Sequence, residues 1–111
     1  MIKDGRIRRS YLGVGGQTVP LLRADTRTYH LDQATGVMAM QVSPASPASV
    51  AGLRDGDIIV ALDTQPVRTV TELHQLLTAD LIDRPANLTV FRHTERLVLP
   101  VRPAEMPAGE R

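Results

Sequence analysis

Short stretches of alternating and clustered apolar residues run along this chain and predict an order of small elements. Residues 7–14 (IRRSYLGV) read as a short strand broken at Gly13, and 15–20 (GGQTVP) as a loop or an irregular edge strand ending at Pro20. Residues 21–31 (LLRADTRTYHL) carry only a weak helical period through Leu21, Leu22, Ala24 and Leu31. GVMAMQV (36–42) alternates as a strand does, with Val37, Ala39 and Gln41 on one face and Met38, Met40 and Val42 on the other. Residues 43–53 predict a loop and a short helix, with Ser46 as N-cap, Pro47 in the first turn and Gly52 in the left-handed position after the last. DIIVALD (57–63) is a nearly continuous apolar run and predicts a central strand, followed by a turn at 63–66 (DTQP). Thr69 and Glu72 have capping-box spacing for a helix running to about Asp80. ANLTVFRH and ERLVLPVR alternate as a hairpin around residues 93–95, and 103–111 read as a disordered, proline-rich tail. Short antiparallel strands capped by two or three helices make the expected fold a mainly β, partly open barrel or sandwich.

The second helix has more apolar surface than one core needs. At about 100° per residue, Leu73 and Leu76 fall together while Val70, Leu77 and Leu81 share a neighbouring arc with His74. That arc spans roughly 160°, against the ~100° stripe that seats a helix on one core. Either the helix is deeply buried, or Val70, His74 and Leu77 wall a groove. Beside it the sequence places a glycine-broken strand, Tyr11-Leu12-Gly13-Val14-Gly15, preceded by Arg8 and Arg9. A strand edge next to an apolar helix face forms a slot for an extended peptide. The amides of Leu12, Gly13 and Val14 at its closed end suit a carboxylate, with Arg9 or Arg8 adding positive charge.

Composition narrows the alternatives. The chain of 111 residues is long enough for one domain. It is 42% hydrophobic but only 3% aromatic, so the core falls to aliphatic residues. A formal charge of +1 gives no bulk attraction to nucleic acid or anionic membrane. There is no cysteine, no apolar run approaching the ~18 residues of a membrane span, and no signal-peptide pattern at residues 1–10. Ser10, Ser43, Ser46 and Ser49 sit in no nucleophile motif, and His30, His74 and His93 have no metal-ligand spacing. GVGG lacks the third glycine of a dinucleotide loop, and Asp55 and Asp57 around Gly56 read as a turn rather than a calcium loop. No cofactor and no catalytic group are expected.

GRIRRSYLGVGG (5–16), VSPASPASVAGLRDGDIIVALDTQPV (42–67) and TVTELHQLL (69–77) together resemble the PDZ domain that follows the protease domain in the HtrA (Deg) family of serine proteases. The resemblance implies a circularly permuted, bacterial-type PDZ fold at 7–103, with residues 1–6 a linker from an upstream trypsin-like domain. It implies that Tyr11, Leu12, Gly13 and Val14 form the carboxylate-binding loop and that the helix from Val70 is the groove wall. The expected ligands are hydrophobic C-terminal or unfolded polypeptide segments, in the periplasm or cell envelope. A PDZ scaffold of another membrane-associated machine, or a groove filled by residues 21–31, are the alternative readings. Three residues depart from the family pattern: Ser10 and Thr64 stand where glycine is usual, and His74 where an apolar residue is. The ordinary account of His74 is a half-exposed ring; the sharper one is a donor to the ligand with affinity that follows pH. Because the loop is an edge feature, a bulky residue at Gly13 is expected to abolish capture at little cost in stability.

Overall fold

A computed structural model of the chain describes residues 10–21, 27, 33–93 and 95–105. Its strands are β1 (Ser10–Tyr11), β2 (Val14–Pro20), β3 (Thr35–Val42), β4 (Ile58–Leu62), β5 (Gln65–Pro66), β6 (Ala86–Arg92), β7 (Glu95–Val101) and β8 (Ala104–Glu105). Its helices are α1 (Pro47–Ala51) and α2 (Val70–Leu76), followed by a single 3-10 turn at Ala79–Leu81. The expected linker at 1–6, Arg8, Arg9, most of the weakly helical 21–31 stretch and the tail beyond Glu105 lie outside the described residues.

The main sheet is antiparallel in the order β2-β3-β4-β6-β7, with β5 folded back on β4 and β1 paired separately with β8. The fold class is therefore the one expected. β4 earns its apolar run by its place between β3 and β6, where Ile59, Val60 and Leu62 are buried. β6 alternates as predicted, with Ala86, Leu88 and Val90 inside. Ile59, Leu62, Ala86, Leu88 and Val90 meet Val37 and Ala39 of β3, Val101 of β7, Leu73 of α2 and Leu77 just after it in one aliphatic core. Each buried leucine or valine contributes about 1.5–3 kcal/mol by leaving water.

Local signals fixed α1 closely. The Ser46 hydroxyl accepts the Ser49 N–H at 3.2 Å, Pro47 opens the helix, and Gly52 closes it at φ 99°. At the DTQP turn, Leu62 pairs with Gln65, so the loop is Asp63-Thr64. Asp63, not Thr64, takes the left-handed conformation at φ 55°. It is anchored there by β6: its N–H donates to the Asn87 carbonyl at 2.7 Å and its carboxylate accepts the Asn87 N–H at 2.9 Å. Glycine is thus dispensable at position 64.

Three expectations need correction. α2 ends at Leu76 rather than near Asp80: Leu77 leaves helical geometry at ψ 71°, and the Leu81 N–H bonds to the Thr78 carbonyl in a separate turn. Thr78, β-branched and a natural N-cap residue, favours such a restart over helix interior. The capping box is also only half formed. The Thr69 hydroxyl accepts the Glu72 N–H, but the Glu72 carboxylate reaches back to the N–H and guanidinium of Arg68 instead of to Thr69. That pairing holds the Glu72 carboxyl below its usual range, chiefly through the side-chain hydrogen bond from Arg68. Finally, Ala104 and Glu105, assigned to a disordered tail, pair with Tyr11 and Ser10. Pro103 is buried and its carbonyl accepts the Asp83 N–H at 2.8 Å, which holds the chain on the domain one step further.

One buried charge ties the turn before β4 to the end of β6. The Asp57 carboxylate is 2% exposed; it accepts the Arg54 N–H at 3.0 Å and two hydrogen bonds from the Arg92 guanidinium, at 2.6 and 2.9 Å. Arg92 also donates to the Gly52 carbonyl. Removing Asp57 costs the Arg54 N–H and the partly buried Arg92 guanidinium three charge-assisted hydrogen bonds at once. Asp57→Ala is expected to destabilise the domain by about 3 kcal/mol, read as a lowered urea midpoint at unchanged m-value. Loss below about 1 kcal/mol would mean the pair is solvated like a surface bridge.

Candidate functional site

The edge strand β2 and helix α2 lie side by side because three separate contacts hold the chain entering α2. Gln33, buried, donates through Nε2 to the Val67 carbonyl at 2.9 Å, and the Thr35 hydroxyl donates to the Arg68 carbonyl at 2.7 Å. The third is the Thr18 hydroxyl on β2, which accepts the Val70 N–H at 3.1 Å. That amide is one of the four at a helix start with no partner inside the helix. The far end of the space between strand and helix is closed by this bond.

At the near end the chain crosses from β1 to β2 through Leu12 and Gly13. The Leu12 carbonyl accepts the Ala48 N–H of α1 at 2.8 Å, and the Gly13 carbonyl accepts the Ser43 N–H at 2.8 Å. A trans peptide unit points its N–H opposite to its C=O. Holding the Leu12 carbonyl therefore aims the Gly13 N–H away from α1, and holding the Gly13 carbonyl aims the Val14 N–H away from β3. Among the described residues no backbone carbonyl accepts the Leu12 or Gly13 amide. Gly13 sits at φ 81°, and a Cβ there would lie 2.2 Å from the Ser46 Cβ. Glycine is required on both counts.

Antiparallel alternation sets which groups of β2 face outward. With Leu21 N–H bonded to the Ala34 carbonyl and Gly13 bonded to Ser43, the outward positions are Val14, Gly16, Thr18 and Pro20. Pro20 has no N–H to leave unpaired, so its place on the open side costs nothing. Gly16 is there because a Cβ would fall 2.5 Å from Val37 Cγ1 in the core. The register shift between Gly15 and Gly16 leaves Met40 as the extra residue on β3. Beyond the shift, Gln41 pairs with Gly15.

The result is a groove of about 550 Å³. Of the residues singled out from the sequence, Tyr11, Leu12, Gly13, Val14, Gly15, His74 and Leu77 all border it. Val70 does not; it sits a turn further along, against Gly16 and Thr18, because the helix begins there. Arg9 lies outside the described residues. Ser10, Gln41, Ser43 and Leu73 also border the groove and were not anticipated. Leu73 was legible, since Leu73 and Leu77 are four apart and share a helix face. Gln41 was not, because its position depends on the shift at Met40. Leu73 and Leu77 serve both the core and the groove, so the choice between a buried helix and a groove wall was a false one. His74 is exposed at the rim. Among the described residues no group of three or more His, Asp or Glu is placed to hold a metal, and no helix is long and apolar enough to cross a membrane.

A peptide-sized slot with inward-turned amides at one end and leucines along one wall, on a six-stranded antiparallel sheet, is the architecture of a PDZ domain. The chain belongs to the PDZ domain family, whose profile matches residues 10–102. It is similar to the serine endoprotease DegS of Escherichia coli K12, with 31% identity over 112 residues covering 97% of this chain and 30% of DegS. It is also 33% identical over 107 residues to a probable periplasmic serine endoprotease, DegP-like, of Pseudomonas fulva, covering 96% of this chain and 22% of that protein. The chain thus spans less than a third of the curated relatives it matches. Among solved structures, the HtrA3 PDZ domain bound to a phage-derived ligand, FGRWV, superposes with a TM-score of 0.66 at 22% identity, over 89% of this chain and 88% of that one.

The geometry at Gly13 reverses the expectation that the loop tolerates substitution without cost to the fold. A side chain there collides with the N-cap of α1 as well as straining the backbone. Gly13→Ala is expected to lower stability by about 3 kcal/mol, measured by chemical denaturation without ligand. A change within 0.5 kcal/mol would show that Ser46 and the loop yield freely.

Proposed function

We propose that this domain captures polypeptides by their free C-termini. The terminal segment adds as a strand to the open edge of β2, hydrogen bonded at Val14 and Gly16, and leaves the groove before the Thr18–Val70 bond that closes its far end. Its carboxylate sits on the amides of Leu12, Gly13 and Val14, and its last side chain enters between Leu12, Leu73 and Leu77. The observation that carries this reading is the pair of clamped carbonyls, Leu12 to Ala48 and Gly13 to Ser43, which commit two amides to the groove before any ligand arrives. Preformed donors spare the ligand the ordering cost that a mobile loop would impose. Tyr11 supports the loop from below: the Cβ position of Gly13 is 3.3 Å from its ring. Arg9, four residues before Gly13 in the sequence, contributes positive charge to the carboxylate site, and His74 lends its ring to the rim.

The relatives are proteases several times longer than this chain, and no catalytic constellation is proposed within it. The domain serves as the substrate-recognition or regulatory module of a serine endopeptidase of the HtrA type, acting in the periplasm on unfolded or misassembled polypeptides with apolar ends. A purely structural role for the groove is disfavoured by its open, amide-bearing end.

Paired pentapeptides ending in Val, Leu or Phe, each as free acid and as C-terminal amide, test the reading by calorimetry and by amide NMR shifts. The free acids are expected to bind about tenfold or more tighter, a difference of at least ~1.4 kcal/mol, with the largest shifts at Gly13, Val14, Gly16 and α2. Equal affinity of acid and amide for every pair, or shifts confined to another face, would reject it.

A further inference from the structure

The two glycines of β2 leave different faces of the strand bare. Gly16 turns its missing side chain toward the core, where a Cβ would lie 2.5 Å from Val37 Cγ1. Successive strand residues face opposite sides, so Gly15 faces away from the core. Apart from its chain neighbours, a Cβ on Gly15 would meet only the Gln41 carbonyl among the described residues, at 3.9 Å. The space over Gly15 is therefore open. Gln41 is the residue that pairs with Gly15 on β3. Residues directly opposite in an antiparallel pair place their side chains on one face. Gln41 is exposed and borders the groove, so its side chain flanks the bare strip at Gly15 on the outer face.

We propose that Gln41 selects the residue before the ligand's C-terminus, favouring a long side chain that ends in a hydrogen-bonding group, glutamine first. This role rests on the capture of free C-termini proposed above and sets which of them are held best. A ligand strand hydrogen bonded at Val14 and Gly16 places its last residue opposite Val14 and its penultimate residue opposite Gly15. The last side chain turns inward to Leu12, Leu73 and Leu77, so the penultimate one turns outward, over Gly15. Two strand spacings, about 9.6 Å, then separate the penultimate residue from Gln41. With only glycine between them, two glutamine-length side chains leaning toward each other span that gap and close it with a hydrogen bond of ~2.9 Å. Alanine and serine fall short. The Gln41 amide offers both donors and an acceptor, so a second amide pairs with it in either sense. Methionine has the same length but only a weakly accepting thioether, which makes it the matched comparison.

The test uses acetylated free-acid pentapeptides, Ala-Ala-Ala-Xaa-Val, with glutamine, methionine, alanine or arginine at the penultimate place, ranked by competition binding. The parent domain is expected to prefer glutamine to methionine by about threefold, with alanine no better than methionine. Gln41→Ala should contract the glutamine-to-methionine ratio toward one. Gln41→Glu should turn the preference, raising arginine over glutamine by about threefold, and less so in high salt. Both variants alter an exposed side chain, and an unmoved urea midpoint checks that each is folded. A glutamine-to-methionine ratio near one in the parent overturns the role of Gln41. So does a ratio that survives Gln41→Ala at full size, and so does the absence of an arginine gain in Gln41→Glu. Each of these leaves the groove reading standing as long as free acids outbind their amides. If the parent domain does not distinguish acid from amide, the groove reading fails, and selection by Gln41 falls with it before any variant is made.

Discussion

Two peptide planes decide what this domain is able to do. The units joining Leu12 to Gly13 and Gly13 to Val14 are each pinned by their carbonyl oxygens, one by an amide in the first turn of α1 and one by Ser43 at the end of β3. Planarity then fixes the opposite ends of those units without any further contact. The scaffold supplies both pins from a single stretch of chain, residues 43–48. Ser46 ties that stretch together, capping α1 through the Ser49 N–H while donating to the Ser43 carbonyl at 2.6 Å. Seen this way, α1 is less a structural cap on the sheet than the bracket that sets the loop.

The opposite wall is built on the same economy. α2 is only seven residues long and would not hold its place by helical propensity. It is suspended instead from side chains of β2 and of the stretch leading into β3, and pressed down by Leu73 and Leu77. The same two leucines finish the core and face the groove. A change that unsettles the core at these positions alters the groove with it, so stability and recognition are not separable there. His74, exposed at the rim, lies outside that core.

Much of this was legible in the sequence because it is local. The cap, proline and glycine of α1, the hairpin around residues 93–95, and the alternation in β3 and β6 all depend on neighbours a few residues apart. Tyr11 to Gly15, His74 and Leu77 were placed together because a glycine-broken edge and an over-wide apolar arc are themselves sequence patterns. What failed depends on distance. A substitution at Gly13 reads as costly to capture but cheap for the fold, because nothing nearby in sequence reveals that Ser46, 33 residues on, occupies the space of its missing side chain. Gln41 reaches the groove only through the extra residue on β3. The early end of α2 and the partner of Glu72 turn on competition between two nearly equal local choices. Ala104 and Glu105 find a partner ninety-odd positions earlier, which composition alone cannot announce.

That last pairing has a mechanical side. Ser10 and Glu105 lie opposite each other in a ribbon two residues deep. Tension between whatever is joined to the two ends would be borne first by that ribbon, as a zipper is opened from its end, with the six-stranded sheet unloaded behind it. Leu12 begins where the ribbon stops. A pull strong enough to part the ribbon would meet the Leu12 and Gly13 carbonyl pins next on one side and the Pro103 carbonyl, held by Asp83, on the other.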